Sequence, residues 1–243
     1  MRIPRIYHPD AITLGQTFSL NADAANHVGR VLRMTPPQQI VIFNGDGYDY
    51  HAELVDVGKK QVQAKPISQS KIDNESPISI HLAQGVSRGD KMDFTIQKSV
   101  ELGVTEITPI FTERCGVKLK GERLEKKLQQ WQKIAISACE QSGRAVVPKI
   151  HPAITLNEFL AQKTEQLKLN LHPRATTTVK GLTLPASGVR FIIGPEGGLS
   201  SEEIEVTVNS GYQEIQLGPR VLRTETAALT LLSALQMQFG DLG

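Results

Sequence analysis

The sequence predicts an α/β protein in which a small β-barrel domain precedes a larger domain built around a mostly parallel sheet. Residues 1–72 contain many short strand-like runs and a single helix-like segment, a combination typical of small barrels. From residue 78 onward, strand-like and helix-like segments alternate, as expected for a parallel sheet covered by helices on both faces. The stretch 68–77 is polar and ends in proline, so we interpret it as a linker and predict domains at 1–72 and 73–243.

The elements of the first domain follow from alternating apolar residues and from turn residues. The motif Asn44-Gly-Asp-Gly47 separates two strand-like runs and is a strong hairpin signal. Apolar residues recur at helical spacing over 22–33, and Pro36-Pro37 ends that pattern, which predicts a short helix. The predicted strands of this domain are 3–7, 17–20, 39–43, 48–54 and 61–67.

The second domain has longer elements with clearer boundaries. Gly103 is a candidate C-cap for a helix over 91–103, and Ser200 with Glu203 forms a capping box at the start of a later helix. Two further helices are predicted over 122–141 and 226–239. The predicted strands are 78–83, 105–111, 168–171, 189–193 and 214–217.

Composition excludes several classes of protein. No apolar run is long enough to span a membrane, and the N-terminus has no apolar signal core, so we expect a cytoplasmic protein that is not membrane-bound. The two cysteines do not form a CxxC pair and the six histidines show no ligand spacing, so neither a disulfide nor a metal site is predicted. The net charge is only +2, and its excess lies in the first 72 residues, a weak indication of a surface facing phosphates.

Three loop-like segments, 170–174, 192–200 and 217–226, each follow a predicted strand. Ligands of open α/β sheets bind beyond the carboxyl ends of the strands, so these loops are the expected ligand site. Their glycines allow close backbone approach, and Pro195 and Pro219 stiffen the two Gly-Pro loops. The alternative is ordinary turn chemistry after a strand.

Two nucleotide-binding motifs are missing from the sequence. There is no GxxxxGK[ST], which excludes a P-loop NTPase, and no GxGxxG after the first strand, which argues against an ordinary Rossmann dinucleotide site. The glycine-rich loops instead lie late in the second domain.

Two motifs carry a specific resemblance: Ile193-Gly-Pro-Glu-Gly-Gly-Leu199 and Leu217-Gly-Pro-Arg-Val-Leu-Arg-Thr-Glu-Thr-Ala227. Both resemble the core of the SPOUT methyltransferases, and more narrowly the bacterial 16S ribosomal RNA uridine-N3 methyltransferase family. Further segments that resemble this family, and extend the resemblance over essentially the whole chain, are His27–Arg33, Arg88–Phe94, Gln97–Gly103, Glu113–Cys115 and Trp131–Arg144.

The resemblance implies a fold, a cofactor and partners. The second domain is expected to be a SPOUT domain with a deep trefoil knot, a rare exception to the rule that chains are unknotted. The first is expected to be a PUA-like β-barrel that helps to bind 16S ribosomal RNA of the small ribosomal subunit. A homodimer and S-adenosylmethionine are implied, with cofactor contacts at Leu171, His172, Ile193, Gly194, Pro195, Gly198, Leu217, Gly218, Leu222, Arg223 and Thr224.

Methylation at uridine N3 predicts what else the site must contain. N3 carries a proton, so the enzyme needs a base or a fixed cation that stabilises the anion left when this proton is removed. Glu196 is the candidate carboxylate, with tethering of its own loop as the alternative. Arg223 and Arg220 are the candidate cations, and Glu225 is placed to orient one of them; a phosphate contact or a solvated side chain is the alternative for Arg220.

Arg30 and Arg33 lie three residues apart on the predicted helix, next to His27, and together with Arg5 they are candidates for clamping RNA phosphates. A solvated surface is the alternative. Two other functions remain open at this point: a non-catalytic RNA-binding protein, and a SPOUT enzyme that methylates a ribose hydroxyl or a guanine.

Overall fold

A computed structural model describes residues 3–59, 61–172 and 175–243 and confirms the α/β class. The chain divides into two compact units. The first consists of Met1–Glu75 with Cys139–Val147, and the second of Ser76–Ala138 with Pro148–Gly243. The assignment of Cys139–Val147 to the first unit was not predicted, because the local sequence of this segment does not indicate the unit with which it packs.

The first unit is built on a five-stranded sheet with the order β1-β3-β4-β5-β2. Only the β1–β3 pair is parallel, and the hairpin predicted at Asn44–Gly47 joins β3 to β4. Ile6, Ile40, Ile42 and Leu54 are among the buried side chains of its core. The strands are β1 (Arg5–Tyr7), β2 (Phe18–Ser19), β3 (Gln39–Phe43), β4 (Tyr48–Val57) and β5 (Val62–Lys71); helix α1 (Ala22–Asn26) continues into a π-helical segment, His27–Val31.

Two predictions for this unit are corrected. The linker does not begin at residue 68, because β5 continues to Lys71 and pairs with β4 as far as Tyr48. Its polar end has the composition of a linker because these residues are exposed. The helix predicted over 22–33 ends at Val31, and Arg33 lies beyond it with a φ of 52°, so Arg30 and Arg33 do not share a helical face.

The second unit contains a seven-stranded sheet in which every pair is parallel, as the alternation of elements predicted. The order is β12-β10-β11-β6-β7-β8, with β9 also paired to β7. The strands are β6 (Ile80–Gly85), β7 (Glu106–Phe111), β8 (Lys149–Ile150), β9 (Ile154–Thr155), β10 (Leu167–Leu171), β11 (Val189–Ile193) and β12 (Gln213–Ile215). The helices are α2 (Asp90–Glu101), α3 (Gly121–Ser142, which enters the first unit at Cys139), α4 (Leu156–Leu160), α5 (Ser201–Asn209) and α6 (Thr224–Phe239).

The two helix-capping features predicted for this unit are confirmed. Ser200 and Glu203 form the predicted capping box, and Gly103 has a φ of 83° after the end of α2. The short elements β8, β9 and α4 were missed, because two to five residues carry too little periodicity. Within the described ranges, no helix combines the length and the apolar character needed to cross a membrane.

A cluster of titratable side chains around the buried His81 lies on the sheet of the second unit. His81 Nε2 is 2.7 Å from Thr108 Oγ1, and an Arg190 nitrogen is 3.3 Å from His81 Nδ1. Since arginine only donates, Nδ1 must accept and the ring proton sits on Nε2. His151 Nε2 and a carboxylate oxygen of Glu106 lie nearby, 2.6 Å apart. Both nitrogens of His81 are therefore used within the protein, and no lone pair is left for a metal ion.

We expect this cluster to make the second unit sensitive to acid. Burial is the main cause that lowers the pKa of His81, to about 4 from the usual 6.5; the charge of Glu106 opposes this shift, and the charges of Arg190 and His151 add to it. The unfolded chain takes up the proton near pH 6.5 and the folded chain does not, so this stabilisation is complete above pH 6.5 and is lost as the pH falls toward 4. Between pH 7 and pH 5 the loss is about 1–2 kcal/mol.

Urea unfolding, followed by the fluorescence of the only tryptophan, checks this expectation. Trp131 is 1% exposed and belongs to the second unit, so it reports on that unit. His81→Gln keeps a side chain able to bond Thr108 but does not titrate, and it should lose less of its urea midpoint between pH 7 and pH 5 than the unaltered protein. Equal losses in the two proteins would show that His81 is not the group responsible.

Candidate functional site

Three neighbouring strands of the second unit bring the predicted loops together. In the parallel sheet β10 lies between β11 and β12, with Asn170 in register with Ile192 and Leu171 in register with Ile215. Their carboxyl ends therefore meet at one edge, and the loop after each strand begins there. The first loop is described as far as His172; Pro173 and Arg174, which were part of that predicted segment, lie outside the described residues.

The loops enclose a cleft of about 610 Å³. This is within the range of pockets that bury a small cofactor. All eleven residues predicted to contact the cofactor line it: Leu171, His172, Ile193, Gly194, Pro195, Gly198, Leu217, Gly218, Leu222, Arg223 and Thr224. The sheet topology thus joins residues that are up to 53 positions apart in sequence (171 to 224).

Backbone geometry explains why the second loop contains so many glycines. A turn closes with the Gly198 N–H donating to the Pro195 carbonyl at 2.8 Å, and Gly198 has a φ of 70°, which side chains rarely adopt. A Cβ on Gly194 would lie 3.1 Å from the Gly198 carbonyl carbon and the Leu199 nitrogen. A side chain at position 194 would press on backbone atoms of the turn, so the tight fold of the loop over its first residue favours glycine there.

Glu196 ties the second loop to the start of α2. Its Oε1 accepts from the Arg88 N–H at 2.9 Å and lies 3.4 Å from the Lys91 ammonium. Burial raises the pKa of Glu196, but backbone hydrogen bonds from Arg88 and from Glu196 itself, together with Lys91, outweigh it and hold the pKa below the ordinary value. A carboxylate stabilised in this way is a weak proton acceptor at neutral pH, and the geometry favours the tether over the base.

Arg220 and Arg223 both line the cleft and are exposed. With respect to the residues that the structure describes, neither guanidinium donates a hydrogen bond or forms an ion pair, so the orienting contact predicted from Glu225 is not formed. Glu225 also lines the cleft, with its Oε2 buried and unpartnered within that same part of the chain. Two unpaired cations therefore face the space where a ligand enters.

Two further cations at the cleft were not predicted as site residues. Lys91 reaches it from the first turn of α2. Arg114 follows β7, and its guanidinium lies 3.4 Å from the carbonyls of Gly197 and Leu199. Both lie in segments that resemble the family, Arg88–Phe94 and Glu113–Cys115, but segment resemblance alone gave no indication that they would reach the loops.

The four candidate RNA-binding residues of the first unit differ in how accessible they are. Arg5 forms a two-point ion pair with Asp49, donates to the carbonyls of Cys139 and Arg144, and lies over the Phe43 ring. Its side chain is only 8% exposed, so it is not free for a phosphate. The other three are more open: His27 is half-buried, and Arg30 and Arg33 are exposed.

Family models match both parts of the chain. A model described as an RNA methyltransferase domain matches residues 74–236, and one described as an RNA methyltransferase PUA domain matches residues 20–67. The chain is 41% identical over 243 residues to ribosomal RNA small subunit methyltransferase E of Buchnera aphidicola, covering 99% of this chain and 95% of that protein.

Two solved structures are similar over the full length of both chains. A Legionella pneumophila protein, described as a methyltransferase in complex with the cofactor SAM, superposes with a TM-score of 0.97 at 47% identity. A ribosomal RNA small subunit methyltransferase E from Neisseria gonorrhoeae, bound to S-adenosyl methionine, superposes with a TM-score of 0.93 at 41% identity.

Proposed function

Since the chain belongs to the RNA methyltransferase family of ribosomal RNA small subunit methyltransferase E, we propose that it methylates N3 of a specific uridine in 16S ribosomal RNA, in the cytoplasm and within the small subunit. The general reaction is S-adenosylmethionine-dependent methylation of ribosomal RNA, and the proposal specifies the methylated atom and nucleotide. The observation that supports N3 methylation is that one cleft brings together all the predicted cofactor residues and two arginines that have no ion-pair partner among the described residues.

The cleft suits S-adenosylmethionine in both shape and chemistry. Leu171, Ile193 and Leu222 offer apolar surface to an adenine ring, and the glycine loops offer backbone groups to its polar edge. Gly218 has a φ of 95°, and a Cβ there would meet no atom within 4 Å, so the wall of the cleft is open at this point. When bound, the cofactor supplies an electrophilic methyl group.

The residues of the chain must deal with the N3 proton and with the charge left on the uracil. We assign Arg223 to stabilising that negative charge, because a guanidinium that lines the cleft and has no ion-pair partner among the described residues is available to the anion. Arg220 is assigned to substrate as well, on a phosphate or on the same base. Glu196 is assigned to holding the loop, and proton removal is left to water or to a group of the RNA.

Two structural features of the family remain part of the proposal. β12 pairs at the edge of the sheet beyond β10, yet α6 packs against α2 and begins beside the end of β6. The chain must therefore return past β10 and β11 after β12, and we propose that it does so through a loop, forming the trefoil knot.

We also propose a homodimer with one cofactor site per subunit, which light scattering of the purified protein tests.

Methyl transfer to isolated small subunits tests base against ribose methylation. Subunits lacking the modification are incubated with the protein and methyl-labelled cofactor, and their RNA is hydrolysed in alkali. A methylated base leaves a labelled mononucleotide, whereas a 2′-O-methyl group blocks the neighbouring cleavage and leaves a labelled dinucleotide. The proposal expects mononucleotides only, and labelled dinucleotides would assign the enzyme to ribose. In a parallel incubation with isolated large subunits, the RNA should take up no label.

Arg30 and Arg33 should contribute to RNA affinity through phosphate contacts. We expect Arg30→Ala with Arg33→Ala to weaken RNA binding and to lower the slope of log affinity against log salt by about one to two, because each lost phosphate contact removes roughly 0.7–0.9 from it. The matched control is Lys163→Ala with Lys180→Ala, which removes two exposed charges from the second unit. Equal slopes for the two variants would mean that net charge, and not this surface, determines binding.

A further inference from the structure

The end of β6 lies against two of the loops that form the cleft. Gln84 is the penultimate residue of β6, is fully buried and is in register with Ile193, the last residue of β11. Gly85 follows it, and a Cβ there would overlap Pro195, at 2.7 Å from its ring Cδ. Neither residue lines the cleft, yet the backbone of the second loop rests directly on them.

A chain of hydrogen bonds runs from Gln84 to both loops. The Gln84 amide donates to Thr224 Oγ1 at 2.9 Å and to the Gly85 carbonyl at 3.1 Å. The Thr224 hydroxyl in turn donates to the Gly194 carbonyl at 2.6 Å. A hydroxyl has one proton, and here it points at Gly194, so Thr224 needs a donor from the other side. Gln84 is that donor.

We propose that Gln84 is a positioning residue for the cofactor cleft, acting through Thr224 on the Gly194 carbonyl. Thr224 stands at the end of the third loop and Gly194 at the start of the second, so this bridge sets the separation of the two loops. The hydroxyl of Thr224 is used in the bridge, which makes Thr224 a support of the cleft and leaves cofactor contact to its other atoms. The inference rests on the proposed placement of S-adenosylmethionine between these loops.

The oxygen of the Gln84 amide, Oε1, allows an effect on cofactor affinity to be separated from an effect on the stability of the protein. This oxygen is buried and accepts no hydrogen bond from any residue in the described part of the chain. A buried acceptor without a donor costs free energy, and replacing it with an apolar group of similar shape removes that cost. Gln84→Met loses the two hydrogen bonds that the amide donates but also removes this unpaired acceptor, and the two effects offset. The melting temperature should therefore change little, while the Thr224 hydroxyl loses its donor and the bridge to Gly194 loosens.

Gln236 offers a matched control in the same unit. It is also fully buried, but both ends of its amide are bonded, to the Leu102 carbonyl and to the Ser76 hydroxyl. It lies near the C-terminal end of α6, whereas Thr224 begins that helix. Gln236→Met should lower the melting temperature and leave cofactor affinity within about twofold, the reverse of the pattern expected for Gln84→Met.

Calorimetric binding of S-adenosylmethionine to the full chain tests the proposal, together with melting curves. Gln84→Met and Thr224→Val should each weaken binding by about tenfold, the effect of one lost hydrogen bond. The double variant should be little worse than either, since both break one bridge. Thr224→Ser keeps the hydroxyl and should bind the cofactor almost normally. Because this substitution is small, it still tests the role of the hydroxyl if a larger substitution prevents folding.

The outcomes separate this inference from the placement of the cofactor. If Gly194→Val abolishes binding while Gln84→Met binds within twofold of the unaltered protein, the cleft is correctly placed and Gln84 does not position it. If Gly194→Val binds normally, the placement itself fails. If Gln84→Met loses affinity only in proportion to a fall in melting temperature, as a structural role predicts, the proposal is also overturned.

Discussion

Arg223→Ala should lower kcat by about 100-fold or more while changing the cofactor dissociation constant only slightly. The guanidinium faces the cleft without a partner among the described residues, so removing it leaves no buried group unpaired. The charge it stabilises exists on the uracil mainly in the transition state, and an interaction made only there appears in kcat. Loss of one donor that stabilises charge in the transition state commonly has about this magnitude.

Single-turnover rates and calorimetric dissociation constants, measured on the same samples, check the prediction. Arg223→Lys should recover little activity, because an ammonium on a flexible chain does not reproduce a planar guanidinium. Arg220→Ala is the matched control in the same loop and should act mainly on KM for RNA if it contacts a phosphate. A parallel loss of rate and cofactor affinity in Arg223→Ala would show that this arginine only holds its loop.

Gly194→Val should abolish measurable binding of S-adenosylmethionine. A Cβ at this position already lies 3.1 Å from backbone atoms of Gly198 and Leu199, and backbone cannot move aside as the end of a flexible side chain can. The added side chain must open the turn that closes over Gly194 or occupy the cleft itself. Either change removes the surface on which the cofactor is expected to lie.

Gly181→Val is the control for this substitution. A Cβ there meets only Thr177 Cγ2 at 3.9 Å, and Gly181 does not line the cleft. Its affinity for the cofactor should match that of the unaltered protein. Calorimetry that finds ordinary affinity in Gly194→Val would place the cofactor elsewhere, and a collapse of both variants would indicate general damage to the fold.

The residues that line the cleft could be predicted largely because short sequence motifs specify the loops that carry them. The two Gly-Pro loops need glycine at defined positions such as Gly198, and the strands before them are apolar runs with clear ends. Once the sheet is parallel, the loops after β10, β11 and β12 must lie at the same edge. Topology therefore turns three separated motifs into one cleft, and the boundaries of β11 were predicted to the residue.

What escaped prediction depends on contacts between distant residues. Arg5 looks like a free surface cation in sequence, and only the structure pairs it with Asp49, which is 44 residues away. Gln84 is an unremarkable strand residue until Thr224 is placed beside it, 140 residues later. His81, Glu106 and His151 have no ligand-like spacing, yet β6, β7 and the residue after β8 bring them together. The periodicity of apolar residues predicts a helix or strand and the face that it buries, but it does not predict which distant residue will bond to a buried polar atom.

The identity of the methylated nucleoside tests the central claim most directly. Small-subunit RNA methylated by the protein is digested to nucleosides, and the labelled product is identified by chromatography and mass spectrometry. We expect 3-methyluridine, at one residue per 16S RNA. A label on guanosine, on the ribose or on another atom of uracil would contradict the claim that this cleft delivers the methyl group to uridine N3.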